Sequence, residues 1–256
     1  MYKGSLPLKC FYGLLCIFLS FIFITSFAHG AEAQSTLTGL GYVDTNTFSI
    51  DNVDNYVGNI VTDSNNDIYI FGDIGTSNSG GMIDLDWNEG KAEYYGDIFI
   101  AKYSPNRELI FGIVIDNPTG WIISGDIVVD DDGNIYISGD FGGSVDFDFT
   151  DGTALKIATG GEDAYLMKIL ANGTFGWVQT FGGSQNDYLS ALAIDTSNHV
   201  LYGVGTIGTT NVDINPGVGV DTKTQQGVML VKYDLDGNYI GGNVYGDTRF
   251  TSVFIV

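Results

Sequence analysis

Short apolar segments that alternate with polar residues, separated by polar turns, run along most of the chain. In residues 125–140, GDIVVDDDGNIYISGD, Ile135 and Ile137 alternate with more polar neighbours, which is the period-two pattern of a half-buried strand. The acidic stretch before them contains the Asp, Asn and Gly residues that hairpin turns favour. The pattern therefore predicts two antiparallel strands joined by a tight turn.

The same acidic stretch invites comparison with a calcium-binding loop. An EF-hand loop has glycine at its sixth position and glutamate at its twelfth. Counted from Asp130, those positions hold Ile135 and Phe141, so the comparison fails. The hairpin interpretation is favoured, and Asn66 and Asn198 are expected at the equivalent turn positions of two other copies, because Asn tolerates a left-handed backbone.

Two blocks of strands recur along the chain at a nearly constant spacing. The hairpin block is repeated at 58–73 and 190–205. A second block recurs in step with it, at 97–111, 163–177 and 227–241. Lys102, Lys168 and Lys232 mark the same place in each copy, 66 and then 64 residues apart. A repeat of about 65 residues with two hairpins predicts four strands per unit.

The predicted fold class is all-β, a β-propeller-like array of four-stranded antiparallel blades. A β-sandwich also has short strands, but it does not need an internal repeat. The 36 glycines, 15 tyrosines and 16 phenylalanines suit short twisted strands with aromatic packing. Units are expected at about 54–116, 117–185 and 186–248, with the start of a further unit at 249–256.

The first 33 residues have the pattern of a secretory signal peptide. Lys3 and Lys9 precede a nearly unbroken apolar run over 11–27, and small residues follow at 28–33. An uncleaved membrane anchor is the alternative, since 17 residues approach the length of a short membrane span. The alanines after the run favour cleavage. We therefore expect a repeat domain over 34–256, secreted or at the cell surface, with no membrane span after cleavage.

Removal of the leader changes which chemistry the chain can perform. Both cysteines lie in the leader, and His199 is then the only histidine. The remaining chain keeps 8 of the 10 Lys and Arg and 30 of the 31 Asp and Glu, a net charge of −22. Disulfides, thiolate zinc sites and cysteine nucleophiles are excluded. So acidic a protein is also repelled by nucleic acid.

The repeated units resemble the bacterial β-propeller repeats often called SBBP repeats. The likeness is carried by AIDTSNHVLYGVG with its two sister copies, by DAYLMKILANGTFGWVQTFGG at 163–183 and by VDFDFTDGT at 145–153. It covers roughly residues 36–256 and is weaker in the first unit, which has Ile115-Asp116-Asn117 in place of Phe181-Gly182-Gly183. The resemblance implies an exported propeller-like array and brings no catalytic residues.

The repeat is expected to be incomplete within these residues. The segment 36–62 resembles the end of one unit and the start of the next, and RFTSVFIV at 249–256 matches an opening strand. Closed propellers have about four or more blades. We therefore expect the remaining blades in a longer chain or, less favoured, in another chain.

An Asp-x-Asp-like stretch lies between the two hairpins of each unit. The paired polar residues are Asp84 with Asp86, Asp146 with Asp148, and Asp213 with Asn215. In an extended strand, both members of a pair share one face. Two interpretations are open, a solvated strand face, which is favoured because two side chains make an incomplete site, and a structural calcium site.

Two classes of function remain after these exclusions. The favoured one is a non-enzymatic extracellular scaffold that binds a protein or glycan through its blade loops. The alternative is a secreted carboxylate-based polysaccharide hydrolase or lyase, although no pair of acids is singled out by the sequence. Trp87, Trp121 and Trp177 are expected in the core rather than as sugar platforms. His199 is expected to be an exposed turn residue, which leaves no serine-type triad.

The leader leads to a first prediction. If it is a signal peptide, mass spectrometry of the exported protein should find an N-terminus near Ala31 or Gln34, because signal peptidases cut after small residues. Recovery of membrane-bound protein that still begins at Met1 would show instead that the segment is an anchor.

Overall fold

The structure is a computed structural model that describes residues 56–75, 81–86 and 92–246. Within these ranges the chain forms strands and turns, and no residue lies in a helix. The all-β prediction is therefore confirmed for the described part of the chain. The leader 1–33, Trp87 and the segment 249–256 lie outside it. The described part also contains no helix long and apolar enough to cross a membrane.

Each of three stretches of chain forms one four-stranded sheet and one two-stranded hairpin. Sheet 1 contains β1 (Tyr56–Thr62), β2 (Ile68–Asp73), β5 (Ile98–Tyr103) and β6 (Leu109–Ile115), and its hairpin contains β3 (Gly81–Asp84) and β4 (Glu93–Gly96). Sheet 2 contains β7 (Trp121–Val129), β8 (Ile135–Gly142), β11 (Asp163–Ile169) and β12 (Phe175–Phe181), and its hairpin contains β9 (Ser144–Asp146) and β10 (Leu155–Ile157). Sheet 3 contains β13 (Asp187–Asp195), β14 (Val200–Ile207), β17 (Gly227–Asp234) and β18 (Tyr239–Tyr245), and its hairpin contains β15 (Val212–Asp213) and β16 (Thr222–Lys223).

The three sheets have one topology. Neighbouring strands follow the order of the chain in every sheet, all pairs are antiparallel, and the small hairpin is inserted between the second and third strands. Four-stranded antiparallel sheets are thus confirmed, and they are consistent with blades. Three such sheets do not establish a closed ring, so the propeller-like arrangement stays a prediction.

The first turn of each sheet is held by an aspartate. Asp130 Oδ1 accepts hydrogen bonds from the backbone N–H groups of Asp132 and Asn134, at 3.0 and 2.8 Å. Asp63 does the same for the turn of sheet 1. The opening acidic stretch is therefore a hairpin turn, as predicted, and Gly133 has a left-handed φ of 80° there.

One detail of the turn prediction is wrong. Asn66 has the expected positive φ of 63°, but in sheet 3 the left-handed residue is His199, with φ 55°, and not Asn198. The reason is a different hydrogen-bond pattern, since Asp195 Oδ1 accepts from the N–H of Asn198, three residues along. The left-handed residue therefore lies one position later in this turn.

Two apolar cores lie between the sheets, and the middle sheet contributes to both. Side chains alternate along β8 and β11, and all residues of β8 are buried. One face of sheet 2 packs against sheet 1 through Ile135, Ile137, Phe141, Tyr165 and Met167. The opposite face packs against sheet 3 through Tyr136, Ala164 and Leu166. The sheets are therefore stacked face to face.

The first strand of each following sheet lies across the face of the sheet before it. β7 contacts β1, β2 and β5, and β13 contacts β7, β8 and β11. Polar side chains fix these crossings. Asp73 Oδ1 accepts the N–H of Ser124 at 2.8 Å, and Asp126 Oδ2 accepts the N–H of Leu192 at 2.8 Å.

Aromatic residues at the last strand of one sheet pack on a glycine of the next. Gly173 and Gly237 have φ of 80° and 85°, and a Cβ at Gly237 would lie 2.8 Å from the Trp177 ring. Phe111 lies against Gly173 in the same way. Trp177 therefore belongs to the packing between sheets, as predicted, whereas Trp121 is half-buried.

Candidate functional site

The repeated lysine of the sequence stacks on a tyrosine in every sheet. The Nζ atoms of Lys102, Lys168 and Lys232 lie 4.9, 5.2 and 5.0 Å from the ring centres of their cross-strand partners. Those partners are Tyr69, Tyr136 and Tyr202. Cation–π attraction of this kind stabilises a desolvated lysine. The regular spacing of the lysines therefore corresponds to a repeated packing contact in the sheets.

In sheet 2, the pair of Lys168 and Tyr136 is also linked to sheet 3 by hydrogen bonds. Lys168 Nζ donates a hydrogen bond to the carbonyl oxygen of Leu235 at 2.9 Å, and Trp177 Nε1 donates to the same oxygen at 3.3 Å. The Tyr136 hydroxyl donates to Asp130 Oδ2 at 3.0 Å. Burial, and next the charge of Asp130, raise the pKa of Tyr136 well above its usual value. The group is thus an un-ionised structural tyrosine.

Three buried aspartates hold the connections around the sheets. Asp97 Oδ2 accepts the N–H of Asn117, and Asp187 accepts the N–H groups of Gly183 and Gly208. Asp163 Oδ2 accepts the N–H of Thr159 in the same way. Burial raises the pKa of all three carboxyls. Their hydrogen bonds to backbone explain why acids occupy buried positions here.

The Asp-x-Asp-like stretches lie at the small hairpins. The residue between the two polar positions is fully buried in each case, and these three residues are Leu85, Phe147 and Ile214. The flanking polar residues are half-buried or exposed, and they are Asp84, Asp86, Asp146, Asp148, Asp213 and Asn215. Each stretch thus anchors its hairpin by one apolar side chain and leaves the polar pair toward the surface.

The first aspartate of each pair organises the hairpin loop. Asp84, Asp146 and Asp213 each use Oδ1 to accept two backbone N–H groups, two and eight residues further along the chain. For Asp146 the distances are 3.1 Å to the N of Asp148 and 2.8 Å to the N of Ala154. This repeated role explains why an acid recurs at the position, whether or not a cation binds.

In two of the three pairs, the second member also accepts a hydrogen bond from a backbone N–H group. Asp148 Oδ1 accepts the N–H of Thr150 at 3.0 Å, and Asn215 Oδ1 accepts the N–H of Gly217 at 2.9 Å. Among the residues that the structure describes, no group of three or more His, Cys, Asp and Glu is arranged to hold a metal ion. The calcium hypothesis stays a prediction.

One carboxyl differs from the repeated acids in how far burial raises its pKa. Asp140, near the end of β8, is 8% exposed, and its Oδ2, like the Oδ1 of Asp163, is buried without a hydrogen-bond partner in the described part of the chain. Burial, with smaller effects from the charges of Glu162 and Asp73, raises its pKa to about 7. A carboxyl that holds its proton near neutral pH is the property expected of a general acid, and also of a merely buried side chain.

Glu162 lies near Asp140 in a polar group between sheets 2 and 3. Its Oε1 accepts the indole N–H of Trp121 at 3.1 Å, and its Oε2 accepts the amide of Asn186 at 2.6 Å. The Asn186 amide also donates to the hydroxyl of Tyr188 at 2.8 Å. Glu162 has Gly96 and Gln226 at the matching positions of the other sheets. The polar group around Glu162 therefore does not recur in the same form at the matching positions of sheets 1 and 3.

Sequence reasoning did not single out Asp140 and Glu162. The only sequence signal at Asp140 is the Gly-Asp pair that ends the hairpin block. The same pair occurs at Gly72-Asp73, so it does not predict how deeply Asp140 is buried. His199, in contrast, is exposed in its turn as predicted.

The small hairpins expose apolar side chains. Tyr95 is 69% exposed, and Leu155 and Ile157 of β10 are 56% and 68% exposed. Val218 and Val220, in the loop between β15 and β16, are also largely exposed. Each hairpin joins the second strand of its sheet to the third, so all three hairpins have the same topological position. The exposed apolar residues themselves differ in place, since Tyr95 and Ile157 lie in the second strand of their hairpins and Val218 and Val220 lie in a loop. We call them the hairpin rim.

Comparison of the chain with protein-family models and with curated proteins found no match. The resemblance to SBBP repeats therefore stays a prediction that rests on the residues quoted for it.

Asp140 leads to a prediction about pH. The unfolded carboxyl loses its proton near pH 3.8 and the folded one near pH 7, so the stability that protonated Asp140 contributes is complete below about pH 4 and is lost as the pH rises to 7. In Asp140→Asn the unfolding free energy should decrease less between pH 4 and pH 8. At pH 8 it should exceed that of the wild type by at most about 4 kcal/mol. Urea unfolding across pH 4 to 8 measures both effects.

Asp151→Asn provides the matched control for that experiment, since it removes the same charge from an exposed position. An identical pH profile for Asp140→Asn and the wild type would show that the carboxyl is not perturbed.

The paired acids lead to a prediction about stability and calcium. Asp146→Ala removes the acceptor of two backbone N–H groups in an exposed loop and should lower the unfolding free energy by about 1 kcal/mol. Asp146→Asn keeps an oxygen acceptor and should lose less. Thermal melts should give the same midpoint with millimolar calcium and with chelator. A midpoint raised by calcium in the wild type, but not in Asp146→Asn with Asp148→Asn, would establish a metal site.

Proposed function

We propose that the chain is an exported, non-enzymatic repeat scaffold of the β-propeller kind, which binds an extracellular protein or glycan. The observation that carries this proposal is the hairpin rim. Each sheet carries one small hairpin at the same topological position, and each hairpin exposes apolar side chains to solvent. Exposed apolar residues that lie together on a fixed framework can form a binding surface, and Leu155 and Ile157 are two such residues on one strand.

The way each hairpin is built supports a binding role. Leu85, Phe147 and Ile214 fix the hairpins to the sheets by complete burial. The backbone of each loop is fixed by the carboxylate of Asp84, Asp146 or Asp213. A surface held in this way loses little conformational entropy on binding, which favours affinity.

The acids of the repeat support a non-enzymatic role. The aspartates at the turns, at the small hairpins and at the connections all accept backbone hydrogen bonds. Their recurrence is therefore explained by folding. The negative charge of the whole chain favours partners that are neutral or basic over anionic ones.

A second candidate function rests on Asp140 and Glu162. One carboxyl has a pKa of about 7, and the other is oriented by Trp121 and Asn186. Glycoside hydrolysis uses two carboxyl groups in different protonation states. This pair is the best place for the hydrolase alternative, but the buried Oδ2 of Asp140 argues against contact with a polymer.

Retention on the surface of the producing cells tests the proposal. The mature protein should stay on washed cells, and Leu155→Ser with Ile157→Ser should reduce retention about tenfold or more, because burial of one such side chain is worth about 1.5–3 kcal/mol. The matched control is Ile110→Ser with Ile240→Ser, which removes two exposed apolar side chains outside the rim.

Equal retention of both double variants would contradict a role for the hairpin rim. Release of reducing ends from polysaccharide by the wild type, lost in Glu162→Gln, would replace the scaffold by the hydrolase.

A further inference from the structure

The outer face of sheet 3, which is turned away from sheet 2, has the side chains of a face that is buried elsewhere. Tyr202 and Leu230 stand at the positions of Tyr136 and Leu166, which are fully buried between sheets 2 and 3. On sheet 3 the same two positions are only half-buried. Together with residues of β13 they line a cavity of about 410 Å³.

The structure shows what kind of element covers the matching faces. β7 lies across the first three strands of sheet 1, and β13 lies across the first three strands of sheet 2. Each of them buries one apolar side chain in the core that it shares with the preceding sheet, and these are Ile127 and Leu192. The cavity on sheet 3 is lined from β13, β14 and β17, which are the first three strands of that sheet. A strand of the same kind would therefore fit it.

β1 is a strand of this kind, and it lies at the opposite end of the described array. Ile60 of β1 pairs with Ile70 in the same way that Ile127 pairs with Ile137, so Ile60 and Ile127 are equivalent. Ile127 is 1% exposed and Leu192 is 5% exposed, whereas Ile60 is 38% exposed. The described array thus has an exposed apolar side chain at one end and a matching cavity at the other.

A second contact between neighbouring sheets changes at sheet 3. Within the chain, an aromatic residue opposite the repeated lysine packs on a left-handed glycine of the following sheet. These pairs are Phe111 with Gly173 and Trp177 with Gly237. Sheet 3 has Gly241 at the aromatic position, and a Cβ there would meet nothing within 4 Å. The large side chain of this contact is therefore replaced by open space.

Sheet 1 changes the same contact in the opposite sense. Arg107 stands at the glycine position, since it has a φ of 67° and its N–H donates to the carbonyl of Ser104 at 2.8 Å. The small residue of the contact is therefore replaced by a large one. Gly241 with Arg107 keeps the pairing of small with large that close packing requires. The guanidinium would also bring a positive charge to a cavity whose lining includes Asp195.

We propose that the outer face of sheet 3 binds β1 and the turn at 104–107 of a second copy of this chain. The contact repeats between two copies the packing that joins consecutive sheets within one. It is heterologous, because it uses two different surfaces of the same molecule. Two copies joined at both ends bring six sheets together, three described sheets from each, and propellers have roughly four to eight blades. We therefore expect a closed dimer.

Sedimentation of the mature protein over a range of concentrations tests the proposal. The wild type should form a dimer, and Gly241→Trp should raise its dissociation constant about tenfold or more, because the new ring would overlap Arg107 of the other copy. Adding Arg107→Gly should restore the dimer, since it recreates the pair of Trp177 with Gly237. The matched control is Leu155→Trp, which adds a ring at an exposed position of the middle hairpin and should leave the dissociation constant unchanged.

A second pair of variants tests the contact without the tryptophan, in case Gly241→Trp does not fold. Ile60→Arg and Leu230→Arg should each be monomeric, because each places a charge in one of the two surfaces. An equimolar mixture should form dimers, since each variant keeps the surface that the other has lost. A contact between two outer faces of sheet 3 would give another result, because only Leu230→Arg would then be monomeric.

Three further results would overturn the proposal. The first is a wild type with the mass of one copy at every concentration, which would assign the face to other residues of the chain or to a different partner. The second is a dimer that Gly241→Trp leaves intact or that Arg107→Gly fails to restore. The third is an equimolar mixture of Ile60→Arg and Leu230→Arg that stays monomeric.

Discussion

The middle sheet is apolar on both of its faces, and that constraint sets the arrangement of the described structure. Tyr165 and Met167 point to one side of β11 and Leu166 to the other, and all three are fully buried. A sheet of this kind cannot expose either face to water without losing the burial of several large side chains. It therefore requires a sheet on each side, and sheets 1 and 3 provide them.

The polar residues follow from the same stacking. Strands that cross a neighbouring sheet leave backbone N–H groups at irregular places, and such groups must be satisfied when they are buried. Asp73 and Asp126 satisfy two of them across the boundaries between sheets. Burial raises the pKa of both carboxyls. Part of the acidic composition of the chain thus serves folding.

The sequence was sufficient for features that depend on local periodicity, and insufficient for those that depend on packing across sheets. Alternation at Ile135 and Ile137 and the turn chemistry of Asp130 are local, and the hairpin was predicted correctly. The regular lysines were recognised, but not their stacking on tyrosines, because cross-strand register is set by the whole sheet. The burial of Asp140 could not be predicted, since Asp73 has the same sequence context. The left-handed residue was misplaced at Asn198 because the hydrogen bonding of Asp195 differs by one residue.

Hydrogen exchange of the mature protein, followed by mass spectrometry, tests the stacking most directly. Sheet 2 is enclosed on both faces, so its amides should exchange only when both interfaces open. The account predicts that β8 and β11 exchange most slowly of the described strands, and that β10 and β16 of the small hairpins exchange fastest. Exchange of β8 and β11 as fast as that of the small hairpins would contradict the account.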